Sequence, residues 1–149
     1  MTSRIVLCGP FPLPVGGVSI HLQRLYEGLE RNKDFDVVAI NESKVESGRY
    51  INFRKGHFLR YFYELLRADC VHIHSSVELF RFLHCFFCFL LRKKFIITYH
   101  SFRTDSYLVT KLNRLLCYFA NTVISVSEEI EEKLRVGSKV KNAYLPVSN

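Results

Sequence analysis

The sequence predicts a doubly wound α/β domain, a parallel sheet with helices on both faces, and three observations carry that expectation. Short apolar runs alternate with stretches of helical periodicity along the 149 residues. The first run, Arg4 to Gly9, leads through a Pro-rich loop to the paired Gly16 and Gly17, which open an amphipathic segment. Polar residues follow directly on the apolar runs, at the strand ends where ligands collect in such sheets.

The elements follow in order. After the glycine pair a helix is expected with Val18, Leu22, Leu25, Tyr26 and Leu29 on one face and Gln23, Arg24, Glu27, Glu30 and Arg31 on the other. Asp36 to Ile40 reads as the second strand, and Asn41 to Arg54 as a polar, irregular crossing with a short strand near Tyr50 to Phe53. His57 to Arg67 has helical spacing. Cys70 to His74 is a strand ending in polar groups, and Ser75 or Ser76 is placed to cap a helix running to about Leu91. Lys94 to Tyr99, Thr122 to Val126 and Asn142 to Leu145 are the later strands. A helix from Tyr107 to Phe119 lies between the first two. A short acidic helix capped by Ser127 and stopped by Gly137 lies before the last. No linker or repeat divides the chain, so residues 1–149 are expected to form one domain.

Hydrophobic residues make up 48% and charged residues 23% of the chain, the balance of a folded globular protein and not of a disordered one. The net charge of +7 calls for an acidic partner. The basic residues are scattered and form no recognition motif, so nucleic acid is not the expected one. No leader pattern opens the chain, and the uncharged run Phe82 to Leu91 is interrupted only by polar His84 yet falls well short of a span of ~20 residues. A cytoplasmic protein is therefore expected, with attachment to the inner face of the cell membrane as an added possibility of its basic surface. The five Cys sit mostly in apolar segments, which suits reduced, buried thiols.

The glycine turn is the place where an anion would bind, because glycine lets a ligand approach the backbone and the first helical amides have no internal acceptor. The strand ends bring further polar groups to the same rim: His72, His74 and Ser75, then His100, Ser101 and Arg103, then Ser127 and Glu128. His72 reads as a strand histidine packed in the sheet, His74 as either that or a ligand contact, and His100 as a functional residue. A receiver-type phosphoacceptor domain does not fit, since the first strand lacks a terminal acidic pair.

Four segments in order, Pro14-Val-Gly-Gly-Val-Ser19, Ala68-Asp-Cys-Val-His-Ile-His74, Ile97-Thr-Tyr-His100 and Asn121-Thr-Val-Ile-Ser-Val-Ser-Glu-Glu-Ile130, resemble the N-terminal half of the family 4 retaining glycosyltransferases of GT-B fold. The likeness covers nearly the whole chain. It implies a Rossmann-like domain in which Gly16 and Gly17 approach the diphosphate of a nucleotide-sugar donor. It implies further that His100 lies near the transferred sugar as the catalytic residue, and that His74 and Arg103 border a glycan or lipid-linked acceptor. It also implies a C-terminal donor-binding domain beyond this chain, so the chain alone would hold half a site with little or no activity. That leaves a fragment of a longer enzyme, a subunit completed by a separate polypeptide, or a degenerate gene product. The ending Pro146-Val-Ser-Asn149 departs from the family's Pro-Asn-Gly turn.

The segment Glu78 to Lys94 is rich in Phe and closes with Arg92, Lys93 and Lys94. With Arg81, these cations form a candidate surface for anionic membrane, where each adds about 1 kcal/mol. The alternative is a helix buried against the sheet with the three terminal cations stabilising its C-terminus. Cys85 and Cys88 have redox-motif spacing but lie within the helix and read as core, and His84 beside them lacks a fourth ligand. No metal or cofactor is expected. A competing reading of the whole chain is a non-catalytic membrane-docking or scaffold subunit that recruits a transferase partner through the Phe-rich helix.

Overall fold

The computed structural model describes residues 2–12, 15–45, 48–101 and 106–134, together with the backbone of 140–142. Seven strands form one sheet: β1 (Ser3–Gly9), β2 (Phe35–Asn41), β3 (Ile51–Asn52), β4 (Cys70–Ile73), β5 (Lys94–Tyr99), β6 (Thr122–Ser125) and β7 (Val140–Asn142). Their spatial order is β3-β2-β1-β4-β5-β6-β7, and every neighbouring pair is parallel. The order reverses between β1 and β4, which is the topological switch point of a doubly wound sheet. The helices are α1 (Gly17–Glu30), α2 (Phe58–Arg67), α3 (Glu78–Leu90), α4 (Tyr107–Phe119) and α5 (Glu128–Leu134), and a 3₁₀ turn covers Phe53–Lys55.

Register shows how the helices divide between the faces. Leu7 and Ala39 pack with Leu22 and Tyr26 of α1, while Val6, Cys8, Val71, Ile73, Phe95, Ile97 and Val123 point the other way. These latter residues share one core with Tyr61 and Leu65 of α2, Cys85 and Cys88 of α3, Cys117 of α4, and Ile130 and Leu134 of α5. One face therefore carries α1 over β1 and β2, and the opposite face carries the other four helices. On the α1 side, Cys70, His72, Ile96, Thr122 and Ile124 are only half-buried, because no helix among the described residues lies over β4 to β6 there.

Buried polar groups knit the loops to this frame. Asn41 Oδ1 accepts from the amides of Phe11 and Ser43, and Asn52 Nδ2 donates to the carbonyls of Ser43 and Val45. The irregular crossing after β2 is thus satisfied by two buried Asn side chains. Glu42 accepts from Ser75 Oγ at 2.7 Å and from His84 Nε2 at 3.0 Å, and His84 Nδ1 meets the Tyr61 hydroxyl at 2.8 Å. A carboxylate carries four lone-pair sites, and the interior tolerates it only when such partners are supplied. At the amino end of β1, Arg4 bridges Asp36 and Glu64.

Several expectations change. Arg81 is not a surface cation: it is 3% exposed. Its guanidinium donates to the Ser75 carbonyl and to Asn113 Oδ1 and lies 4.6 Å from the centroid of the Tyr99 ring. A membrane surface cannot include it. Neither Ser75 nor Ser76 caps α3, whose N-cap is Val77; Ser75 Oγ turns inward to Glu42 instead. Lys93 stabilises the end of α2 rather than α3, since Nζ donates to the carbonyls of Leu66 and Ala68. α3 closes instead through backbone bonds, Lys93 N–H to Cys88 O and Arg92 N–H to Phe89 O, with Arg92 left-handed at φ 53°. That is the Schellman arrangement with Arg in the position glycine usually takes. The last strand comes earlier than expected, at Val140–Asn142, and the expected stop at Gly137 lies outside the described residues.

Candidate active site

The carboxyl ends of β1, β4 and β5 meet the amino end of α1 in an open cleft of about 460 Å³. Gly16, Gly17 and Ser19 form one wall, with Ser76, Val77 and Ser101 across from them. α1 begins at Gly17 because Gly16 is its cap: the Gly16 N–H donates to Ser19 Oγ and its carbonyl accepts from the Ile20 amide, both at 2.9 Å. The first turn holds no acidic side chain, so the positive end of the helix dipole is not neutralised from within.

The fold does not need glycine at these two positions. A Cβ at Gly17 meets no heavy atom within 4 Å, one at Gly16 meets only Ser19 Oγ at 3.9 Å, and Gly16 is extended at φ −158°. Bare backbone therefore lines this part of the cleft. The glycine the fold does need is Gly9, where β1 ends: a Cβ would lie 2.7 Å from Leu22 Cδ2 and 3.2 Å from His74 Cβ. It allows α1 and the end of β4 to close over the switch point.

Four histidines gather beside this cleft on the α1 face of the sheet. His72 and His74 alternate along β4 and its extension; Thr98 and His100 do the same along β5. His72 Nε2 bonds Thr98 Oγ1 at 2.8 Å, and His74 Nδ1 bonds His100 Nε2 at 3.0 Å. His21, one turn into α1, completes the group with its ring centroid 5.6 Å from that of His74 and 5.3 Å from that of His100. Burial pushes His72 and His100 down to about 4, with neighbouring imidazoles and, for His100, the Arg81 guanidinium adding to it, and pushes His74 well below its usual value. The imidazoles are therefore neutral at physiological pH, able to exchange hydrogen bonds with hydroxyls but not to act as fixed cations.

The structure thus brings Gly16, Gly17, His74 and His100 to one rim, while Arg103 lies outside the described residues. Sequence reasoning missed His21, because it belongs to neither the apolar nor the charged face of α1. It also missed Gly9, whose role depends on Leu22 in α1 and on His74 at the end of β4. His72 is half-buried on the sheet and bonded to Thr98, and Cys85 and Cys88 are buried core thiols raised by burial, Cys88 to about 12.

The Glycosyltransferase Family 4 model matches residues 15–144. The chain belongs to glycosyltransferase family 4. Among solved structures it is similar to HepE of Anabaena, crystallised in complex with UDP and glucose, with a TM-score of 0.54 and 11% identity over 93% of this chain and 44% of that one. At this identity the likeness shows the fold alone, and the doubly wound domain matches a GT-B glycosyltransferase fold. The family 4 chain spans less than half the length of that solved relative. Among curated proteins, none matches its sequence.

Proposed function

We propose that this family 4 domain is the N-terminal, acceptor-side lobe of a glycosyltransferase that uses a nucleotide-sugar donor in polysaccharide or glycolipid assembly. The observation that carries the reading is the cleft at the switch point, where side-chain-free backbone at Gly16 and Gly17 faces Ser76 and Ser101. A diphosphate leaving group gains negative charge as the sugar departs, and the amino end of α1 stabilises it there. His100, directly before Ser101 on the same rim, orients a sugar hydroxyl through its neutral ring, and His74 holds His100 in place. The cleft is open, and a second lobe, on the same polypeptide or another, closes it and supplies the remaining donor contacts. The fold match to HepE, whose structure contains UDP and glucose, supports a nucleotide-sugar donor.

The test is reconstitution. The chain is mixed with a donor-binding lobe supplied as a separate polypeptide, and release of nucleoside diphosphate is followed with a panel of nucleotide sugars. Transfer that appears only with both lobes, and falls at least about tenfold in His100→Ala, supports the reading. Transfer unaffected by both His100→Ala and Gly17→Ala overturns it.

A peripheral membrane role has its own support. Among the described residues no helix is long and apolar enough to cross a membrane. However, Phe89 and Phe119 meet in a tilted contact, centroids 4.8 Å apart, beside Arg92 and Lys94 in a shallow cleft at the amino end of β5, and Phe86 and Leu90 of α3 are exposed. This lies at the opposite end of β5 from His100, so lipid contact would leave the carboxyl rim accessible. Sedimentation with anionic vesicles should weaken in the Arg92→Gln/Lys94→Gln pair, and indifference to anionic lipid would remove the membrane role without touching the transferase reading.

A further inference from the structure

We propose that His21, His74 and His100 form a binding site for one divalent transition-metal ion of the zinc or cobalt class. Each ring offers a nitrogen, and the three nitrogens all lie within 4.8 Å of one another. A tetrahedral ion with bonds of about 2.0–2.1 Å needs its nitrogens about 3.4 Å apart, so the site closes by small rotations of the rings. His21 and His100 are half-buried and able to make them.

The third ring is held in advance. His74 is 1% exposed, its backbone N–H donates to the Cys8 carbonyl at 2.8 Å, and the His72 ring lies 4.1 Å from it, centroid to centroid. Its Nδ1 meets His100 Nε2 at 3.0 Å, and among the described residues its buried Nε2 has no hydrogen-bond partner. The His74–His100 pair thus already holds two imidazole nitrogens close to the spacing that a bound ion needs, and the ion takes the place of the proton they share, which is released. His72 is committed to Thr98 and stands outside the ligand set.

Ligand chemistry selects the class of ion. Three imidazoles without a carboxylate suit zinc, cobalt, nickel or copper and do not suit magnesium or calcium, which prefer oxygen. Three protein ligands leave a fourth position open. Ser19 and Ser101, close neighbours of His21 and His100 in the chain, both line the cleft. The proposal stands on the imidazole geometry and does not require that the chain transfer sugar.

The untagged chain, stripped with chelator, is titrated with Co²⁺ by visible absorption and with Zn²⁺ by calorimetry. We expect one ion per chain, the d–d absorption of tetrahedral cobalt, and a melting temperature that rises with ion concentration. His21→Gln and His100→Gln should each weaken binding at least about tenfold, because losing a ligand exceeds the 10- to 100-fold cost of losing an outer-shell partner. His57→Gln, on an exposed ring elsewhere, should leave it unchanged. Absence of stoichiometric binding would overturn the site. So would a cobalt–thiolate charge-transfer band, which would assign the ion to cysteine, or full binding in a His21→Gln/His100→Gln double variant with native circular dichroism.

Discussion

Arg81 illustrates how a residue's role depends on neighbours far away in the chain. Its guanidinium is buried against Ser75, Asn113 and Tyr99, joining the loop after β4 to α4 and β5. Arg81→Ala removes the donor, strands the Ser75 carbonyl and leaves Asn113 Oδ1 with the Tyr99 hydroxyl alone, so we expect a loss of about 3 kcal/mol, read as a lower urea midpoint. The glycines make a matched pair of predictions. Gly9→Ala pushes a methyl against buried Leu22 and His74 and should destabilise by about 1–3 kcal/mol. Gly17→Ala meets open space and should leave the melting temperature unchanged or slightly raised, while lowering nucleotide-sugar affinity in the reconstituted enzyme. If Gly17→Ala unfolds the chain, its glycine serves the fold and not the ligand. The sequence marked Gly16 and Gly17 because a Gly-Gly pair after an apolar run is a local signal. Gly9 carried no such mark.

Among the elements, those with a clean period were legible. β5 and α4 fall where alternation and helical spacing place them, and Ser127 caps α5 with its Oγ 3.4 Å from the Ile130 amide. α3 was legible as a helix but not in its ends, because Ser75 found a buried carboxylate to bond and left the cap to Val77. Its C-terminus yields a prediction. Arg92 holds a left-handed conformation that costs an L-residue about 1 kcal/mol and glycine little, so Arg92→Gly should stabilise the chain by about that amount in urea titrations. A destabilised Arg92→Gly would mean that the side chain itself holds the turn. Lys93 shows why a run of three cations is not one feature: its ammonium finishes α2, while Arg92 and Lys94 stay exposed.

For the whole molecule, the uneven placement of helices has a chemical consequence. Cys8, Cys85, Cys88 and Cys117 lie beneath the four-helix face or inside the sheet, whereas Cys70 is half-buried on the side that α1 leaves uncovered. Burial raises all five thiols, least completely shielding Cys70, so alkylation followed by mass spectrometry should modify Cys70 first and the others only as the chain unfolds. Early labelling of Cys88 would contradict the packing of α3. Sequence alone determined the α/β class, the strand–glycine–helix opening and the identity of the carboxyl rim, since each is encoded in residues close together in the chain and read by period. Only the tertiary structure decided which residues share that rim. It brought His21 to His74 and His100, sent Arg81 inward, and made Gly9 indispensable, because those outcomes depend on parallel register and on α1 crossing one face of the sheet. No local pattern records either.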